Sequence, residues 1–155
     1  MPPVICILGP TASGKTELAL TLADRYPVRL ISVDSAQIYR GMNIGTAKPD
    51  AATLTRYPHA LIDILEPEEA YSTARFAADA TREINTAHQL GHIPVLVGGT
   101  MLYYYPLYAG MDGLPAANAE NRVIIENRLA REGADVLHAE LARLDPQSAA
   151  RIMPN

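Results

Sequence analysis

The segment Gly9-Pro10-Thr11-Ala12-Ser13-Gly14-Lys15-Thr16 constrains this chain more than any other. It follows an apolar, β-branched run, Val4–Leu8, and precedes a stretch with helical spacing. The pattern G-x-x-x-x-G-K-T between a strand and a helix is a phosphate-binding P-loop. Its glycines let the backbone curl until several N–H groups converge on phosphate oxygens, and the helix start adds its positive dipole end. Lys15 supplies a mobile charge to the terminal phosphate, and Thr16 offers a hydroxyl to Mg²⁺. The segment therefore predicts an α/β domain whose function runs through a di- or triphosphate.

The rest of the chain reads consistently with that domain. Val4–Leu8 is predicted as a buried parallel strand with Cys6 inside it. A helix over Glu17–Tyr26 would place Leu18, Leu22, Ala19 and Ala23 on one face and stop at Pro27. Arg29–Val33 forms a second strand ending at Asp34. Gln37–Pro49 is a loop, Asp50 caps a short helix Ala51–Arg56, and Ala60–Ile64 is a third strand. Ser72 caps a long helix, Thr73–Leu90, closed by Gly91. Ile93–Val97 is a fourth strand, and Gly98-Gly99-Thr100 turns into a helix near Met101–Tyr108. Beyond Gly110 the signals are a linker, Gly110–Asn118, and helices at Glu120–Arg131, Val136–Leu144 and after Asp145-Pro146. The fold class expected is α/β, a P-loop NTPase-like parallel sheet flanked by helices, with the start of a helical insertion domain. The core is expected over residues 1–112 and the helical segment over 113–155.

Composition narrows the function classes. The 155 residues, 48% hydrophobic and 19% charged, suffice for a domain with a sizeable core. A net charge of −4 argues against nonspecific nucleic-acid binding, which needs a basic surface. A single cysteine cannot form an internal disulfide, which suits a reducing compartment. No stretch approaches the roughly 20 apolar residues needed to span a bilayer, and Met1-Pro2-Pro3 has no basic leader character. A soluble, cytoplasmic protein with no membrane partner is expected.

Ligands of an open parallel sheet bind beyond the carboxyl ends of its strands. Asp34 arrives there as a Mg²⁺ ligand, a general base or a cap, and spacing leaves the three open. Asp63 reads as a Walker-B-like carboxylate or a salt-bridged edge residue. Thr100 reads as a ligand contact or a helix N-cap. His59, His88, His92 and His138 lack a metal-ligand spacing. Tyr103, Tyr104, Tyr105 and Tyr108 could stack on a base, but more often such a run is half core and half surface.

Five segments in order carry a resemblance: GPTASGKT (Gly9–Thr16), DSAQIYR (Asp34–Arg40), GMNIGTAKP (Gly41–Pro49), LIDI (Leu61–Ile64) and GGTMLY (Gly98–Tyr103). With them the chain, from Val4 to Asn155, resembles the bacterial tRNA dimethylallyltransferases, also called tRNA isopentenyltransferases. The resemblance implies transfer of the dimethylallyl group of dimethylallyl diphosphate to N6 of adenine 37 in tRNA, releasing diphosphate. It implies that Gly9, Pro10, Thr11, Ala12, Ser13, Gly14, Lys15 and Thr16 hold the diphosphate, with Mg²⁺ at Thr16. Asp34 matches the family's general base, and Thr100 matches the threonine beside the reacting amine. Asp34, Ser35, Ala36, Gln37, Thr100 and Arg122 match contacts to the anticodon stem-loop of tRNA. Adenine N6 is a poor nucleophile because its lone pair is delocalised, so a proton-accepting carboxylate helps it. Diphosphate leaves well only when Lys15, the loop amides and Mg²⁺ neutralise it. A monomer is expected. Family members run to roughly twice this length. The resemblance therefore also implies that these residues alone bind diphosphate weakly and transfer little or nothing.

Three other readings compete. A P-loop kinase of a small metabolite or nucleotide shares the loop, but would want lid arginines that Gly98–Gly110 lacks. An adenylate dimethylallyltransferase acting on free AMP shares the donor, but DSAQIYRGMNIGTAKP favours the tRNA branch. A non-catalytic nucleotide-binding module is the third.

Overall fold

The computed structural model describes residues 3–109 and 118–153. The chain divides into two compact units, Met1–Gly113 and Leu114–Asn155. The expected linker, Gly110–Asn118, lies outside the described residues except for Asn118.

The first unit is built on four parallel strands: β1 (Ile5–Leu8), β2 (Val28–Val33), β3 (His59–Ala60) and β4 (Ile93–Gly98). Their order is β1-β4-β2-β3. Between them run helices α1 (Lys15–Ala23), α2 (Ala51–Arg56) and α3 (Thr73–Gln89), and α4 (Met101–Ala109) follows β4. Alternate residues of the central strands serve opposite faces. Ile31, Val33 and Leu96 pack with Phe76 and Ala80 of α3 and with Tyr103 and Tyr104 of α4. Leu30, Val95 and Val97 pack with Ala19 of α1. Both faces are thus covered, and for this reason β2 and β4 are predominantly apolar, with Arg29 of β2 paired to Glu83 and Ser32 buried. Phe76 and Tyr103 stack with centroids 4.4 Å apart, worth about 1 kcal/mol beyond burial alone.

Caps set the helix ends. Asp50 accepts from Thr53 N, and Ser72 accepts from Arg75 N, as those sequence positions predict. Gly91 adopts φ +70, the left-handed conformation a helix exit requires.

Three expectations are corrected. The first strand is largely exposed, and so is Cys6, because β1 pairs with β4 alone at one edge of the described sheet. Within α1, Ala19 is buried and Leu20 and Ala23 pack beside it, whereas Leu18 is 52% exposed. The helix also ends at Ala23, before Pro27 acts. The third strand shrinks to His59–Ala60 because Leu61 and Asp63 take φ +64 and +54. Two left-handed residues cannot continue a ladder, so 61–65 folds as a turn instead, with Leu61, Ile62 and Leu65 buried and Ile64 exposed.

The second unit comprises α5 (Ala119–Glu132), α6 (Ala134–Leu144) and α7 (Pro146–Ala149). Gly133 at φ +86 separates the first two, and Asp145 caps the third by accepting from Ser148 N. Arg128 donates to Glu132 on its own helix and to Glu140 on α6.

Candidate active site

The P-loop begins where β1 ends. Gly9 has φ +156, and a Cβ there would lie 3.0 Å from Ser13 Oγ. Ala12 adopts φ +63 and Gly14 φ +81, so the loop curls on left-handed residues. No side chain caps α1. Its first-turn amides therefore point, uncapped, at the space where an anion would sit. Lys15 folds back over the loop, where its Nζ donates to Pro10 O and lies 3.5 Å from Ser13 Oγ.

Opposite this loop the ends of β2 and β4 are pressed together. Val33 pairs with Gly98, and a Cβ on Gly98 would lie 2.1 Å from Val33 O. A side chain there is excluded. A Cβ on Gly99 would lie 3.2 Å from Gly9 O, so the glycine pair also fits against the P-loop. The close approach lets Thr100 N donate to Val33 O at 3.2 Å. It also brings Thr100 Oγ1 within 3.1 Å of Ser35 N, which donates to it. The glycines thus admit backbone, and the threonine hydroxyl is bonded to the end of β2.

Asp34 has two distinct oxygens. Its Oδ1 accepts from Ala36 N at 2.8 Å and Gln37 N at 3.2 Å, so it caps the turn after β2. Among the described residues its Oδ2 has no hydrogen-bond partner. Gln37 is spent on structure: Nε2 donates to Thr46 O and Ala47 O, and Oε1 accepts from Ser32 Oγ. Ser35 lies exposed, and Ala36 joins the lining.

These pieces enclose a cleft of about 500 Å³. Thr11 to Glu17 form one wall and Gly45, Thr46, Ala47 and Pro49 another, with Ser32, Asp34, Val97 and Gly98 among the other lining residues. Every expected site residue of the first unit except Gly9, Pro10, Ser35 and Thr100 lines this cleft. Those four join it through the loop itself and through the Ser35–Thr100 bond. Arg122 belongs to the second unit, where it is exposed and lies 3.7 Å from Glu126.

Sequence reasoning missed two lining or supporting residues. His59 lines the cleft, and burial lowers its pKa against a weaker opposing hydrogen bond to Tyr57 O. Its Nδ1 is 2.7 Å from that carbonyl, so Nδ1 carries the proton and donates. Lys48 is buried and binds Asp63 Oδ1 at 2.6 Å, which settles Asp63 as a salt-bridged residue. No spacing signal marks that pair, whose members lie in separate loops. Tyr103 and Tyr104 are core and Tyr105 and Tyr108 surface, as expected. Burial raises the pKa of the Tyr103 phenol, with Tyr39 and then Asp34 adding to the effect. Among the described residues no cluster of three or more acidic, histidine or cysteine side chains could hold a metal by itself.

Comparison with known proteins gives a consistent picture. The sequence pattern of the family described as IPP transferase matches residues 37–155. The chain is 57% identical over 154 residues to a tRNA dimethylallyltransferase of Dechloromonas aromatica, covering 99% of this chain and 49% of that protein. It is 55% identical to one of Thiobacillus denitrificans, covering 100% and 50%. The chain therefore spans about half the length of the curated relatives it matches. Among solved structures, the full-length tRNA isopentenylpyrophosphate transferase of Bacillus halodurans aligns with TM-score 0.70 and 41% identity, over 100% of this chain and 52% of that one. A eukaryotic dimethylallyltransferase acting on tRNA aligns with TM-score 0.85 and 28% identity, over 100% and 39%. With a parallel P-loop sheet, a cleft that joins the P-loop to Asp34 and these matches in hand, the chain belongs to the IPP transferase family.

Proposed function

We propose that this chain forms the donor-binding and catalytic part of an enzyme that moves the dimethylallyl group of dimethylallyl diphosphate onto N6 of adenine 37 in tRNA. The observation that carries the reading is the cleft, which sets an uncapped P-loop helix against Asp34 and the Ser35–Thr100 bond. The diphosphate occupies the loop, with Lys15 unfolding from Pro10 O to meet it. Asp34 keeps Oδ1 on its own turn and takes the N6 proton on Oδ2 as nitrogen attacks the allylic carbon. The C–O bond to diphosphate breaks, and the leaving charge falls on donors already aimed at it. Thr100, held by Ser35, stands beside the amine. An adenine reaches this cleft only when turned out of its stack.

Mg²⁺ suits the residues present. The ion binds by one or two protein oxygens plus substrate phosphates and keeps several waters, so Thr16 needs no acidic cluster around it. Thr16 is exposed on the cleft wall. When bound, the ion supplies neutralising charge to the diphosphate.

The partner is the anticodon stem-loop of tRNA, gripped by Asp34–Gln37, Thr100 and, in the second unit, Arg122. No described helix is long and apolar enough to cross a membrane. We read the enzyme as a cytoplasmic monomer because its substrate in this reading is tRNA. We assign residues 1–112 to the catalytic core and 113–155 to the start of a tRNA-gripping helical domain. The test is label transfer from dimethylallyl diphosphate to tRNA, to AMP or to neither. It uses the chain alone and a chimera carrying the remaining half of the Dechloromonas relative. Label in tRNA with the chimera supports the reading. Label in AMP, or ATP turnover without label transfer, overturns it.

A further inference from the structure

The geometry points to Lys48 as a positioning residue for the acceptor side of the cleft, acting through the wall of residues 45–49. This rests on the transfer reaction proposed above. The Lys48 side chain is 1% exposed, so its ammonium is not a phosphate ligand. Its Nζ donates instead to Tyr39 O and Asp63 Oδ1, each at 2.6 Å. Asp63 sits at φ +54 and gives its carbonyl to Arg40 Nε at 2.9 Å. Its amide donates to Gln37 O at 3.2 Å, and Ile64 N donates to Ile38 O at 2.9 Å. The turn after Asp34, the wall and the turn at 61–65 are thereby zipped together.

The wall itself is strained. Ala47 holds φ +52, which an alanine adopts only when its surroundings over-determine it. It lies between two anchors: Gln37 Nε2, which binds Thr46 O and Ala47 O, and Lys48 next to it. Gln37 N in turn is capped by Asp34 Oδ1. A continuous set of bonds therefore runs from Lys48 to the proposed base. The P-loop wall shares none of them. Losing the Lys48 charge pair frees residues 45–49 and loosens the seat of the acceptor, while the diphosphate keeps its own donors.

The test uses the double variant K48M/D63N, which leaves no lone charge buried and so keeps the fold where K48M alone could lose it. In the 155-residue chain, exchange of the Gln37, Arg40 and Ile64 amides, which are bonded to Asp34 Oδ1, Leu65 O and Ile38 O within this network, is expected to accelerate at least about ten-fold. Exchange in α1 and affinity for inorganic diphosphate should stay within about two-fold, since the charges lost are not phosphate ligands. In the chimera, KM for tRNA should rise at least about five-fold, with KM for dimethylallyl diphosphate within about two-fold. Unchanged exchange at Gln37, Arg40 and Ile64, or an equal rise in both KM values, overturns the inference. If the unsubstituted chimera transfers nothing, the transfer reading fails, while the exchange comparison still decides whether Lys48 holds the wall.

Discussion

Ser35 N donates to Thr100 Oγ1 across 3.1 Å, tying the end of β2 to the turn after β4. The bond joins residues 65 positions apart in sequence and holds the two strand ends together beside the cleft. Replacing Thr100 by valine keeps the shape and removes the acceptor. Transfer by the chimera is predicted to fall at least about ten-fold, the equivalent of about 1.4 kcal/mol, with donor affinity unchanged. Thr100→Ser should retain most activity. Steady-state kinetics of the three proteins check this.

In the proposed reaction Asp34 separates capping from chemistry: Oδ1 holds the turn, and Oδ2 has no partner among the described residues. Asparagine caps as well as aspartate but cannot take a proton. Asp34→Asn should therefore keep the folding midpoint and lower kcat by about 10²–10⁴. Asp34→Ala should lose transfer likewise, plus about 1 kcal/mol of stability. Neither should weaken diphosphate binding much. Urea unfolding beside single-turnover transfer distinguishes the two roles.

Lys15 Nζ donates to Pro10 O beside the loop's amides. Lys15→Met should weaken inorganic diphosphate binding by about 10–100-fold, since hydrogen bonds to charged groups contribute about 1.5–3 kcal/mol. Calorimetry at two salt concentrations measures the loss, and its salt dependence should shrink in the variant.

Gly98→Ala brings a Cβ to 2.1 Å from Val33 O, so backbone must move. Destabilisation of more than about 2 kcal/mol is predicted, within the range for overpacked positions. Gly133→Ala meets open space, and its φ of +86 alone should cost about 1 kcal/mol. Denaturant midpoints for both report the difference.

Most of the sheet was legible because its central strands are apolar on both faces and its helices start on Asp50 and Ser72 caps. The errors have physical causes that no local pattern encodes. Val4–Leu8 has the composition of a buried strand, yet edge position leaves Cys6 exposed. LIDI has strand composition, but Lys48 and Arg40 hold Asp63 in a left-handed turn. The P-loop was legible through its motif spacing, whereas the roles of Asp34–Gln37, Thr100 and Arg122 were assigned by the family resemblance and not by spacing. The work of Gln37 was not legible, because its bonds reach into a loop that only the folded chain brings near.

Burial lowers the pKa of His59 in the folded chain. Below the ordinary histidine pKa near 6.5 the unfolded chain then binds the extra proton first. Stability from this residue is present above that pH and is lost as pH falls through the folded value. The chain should melt lower at pH 5 than at pH 7.5, and His59→Gln should flatten part of that slope. Thermal melts of both proteins across this range decide it.

The most direct measurement of the whole account is nucleoside mass spectrometry of tRNA after incubation with the chimera, Mg²⁺ and dimethylallyl diphosphate. The prediction is one adenosine per tRNA, at position 37, carrying one dimethylallyl group on N6, and none with Asp34→Asn. Unmodified tRNA alongside prenylated AMP, or equal modification by the Asp34→Asn protein, would contradict it.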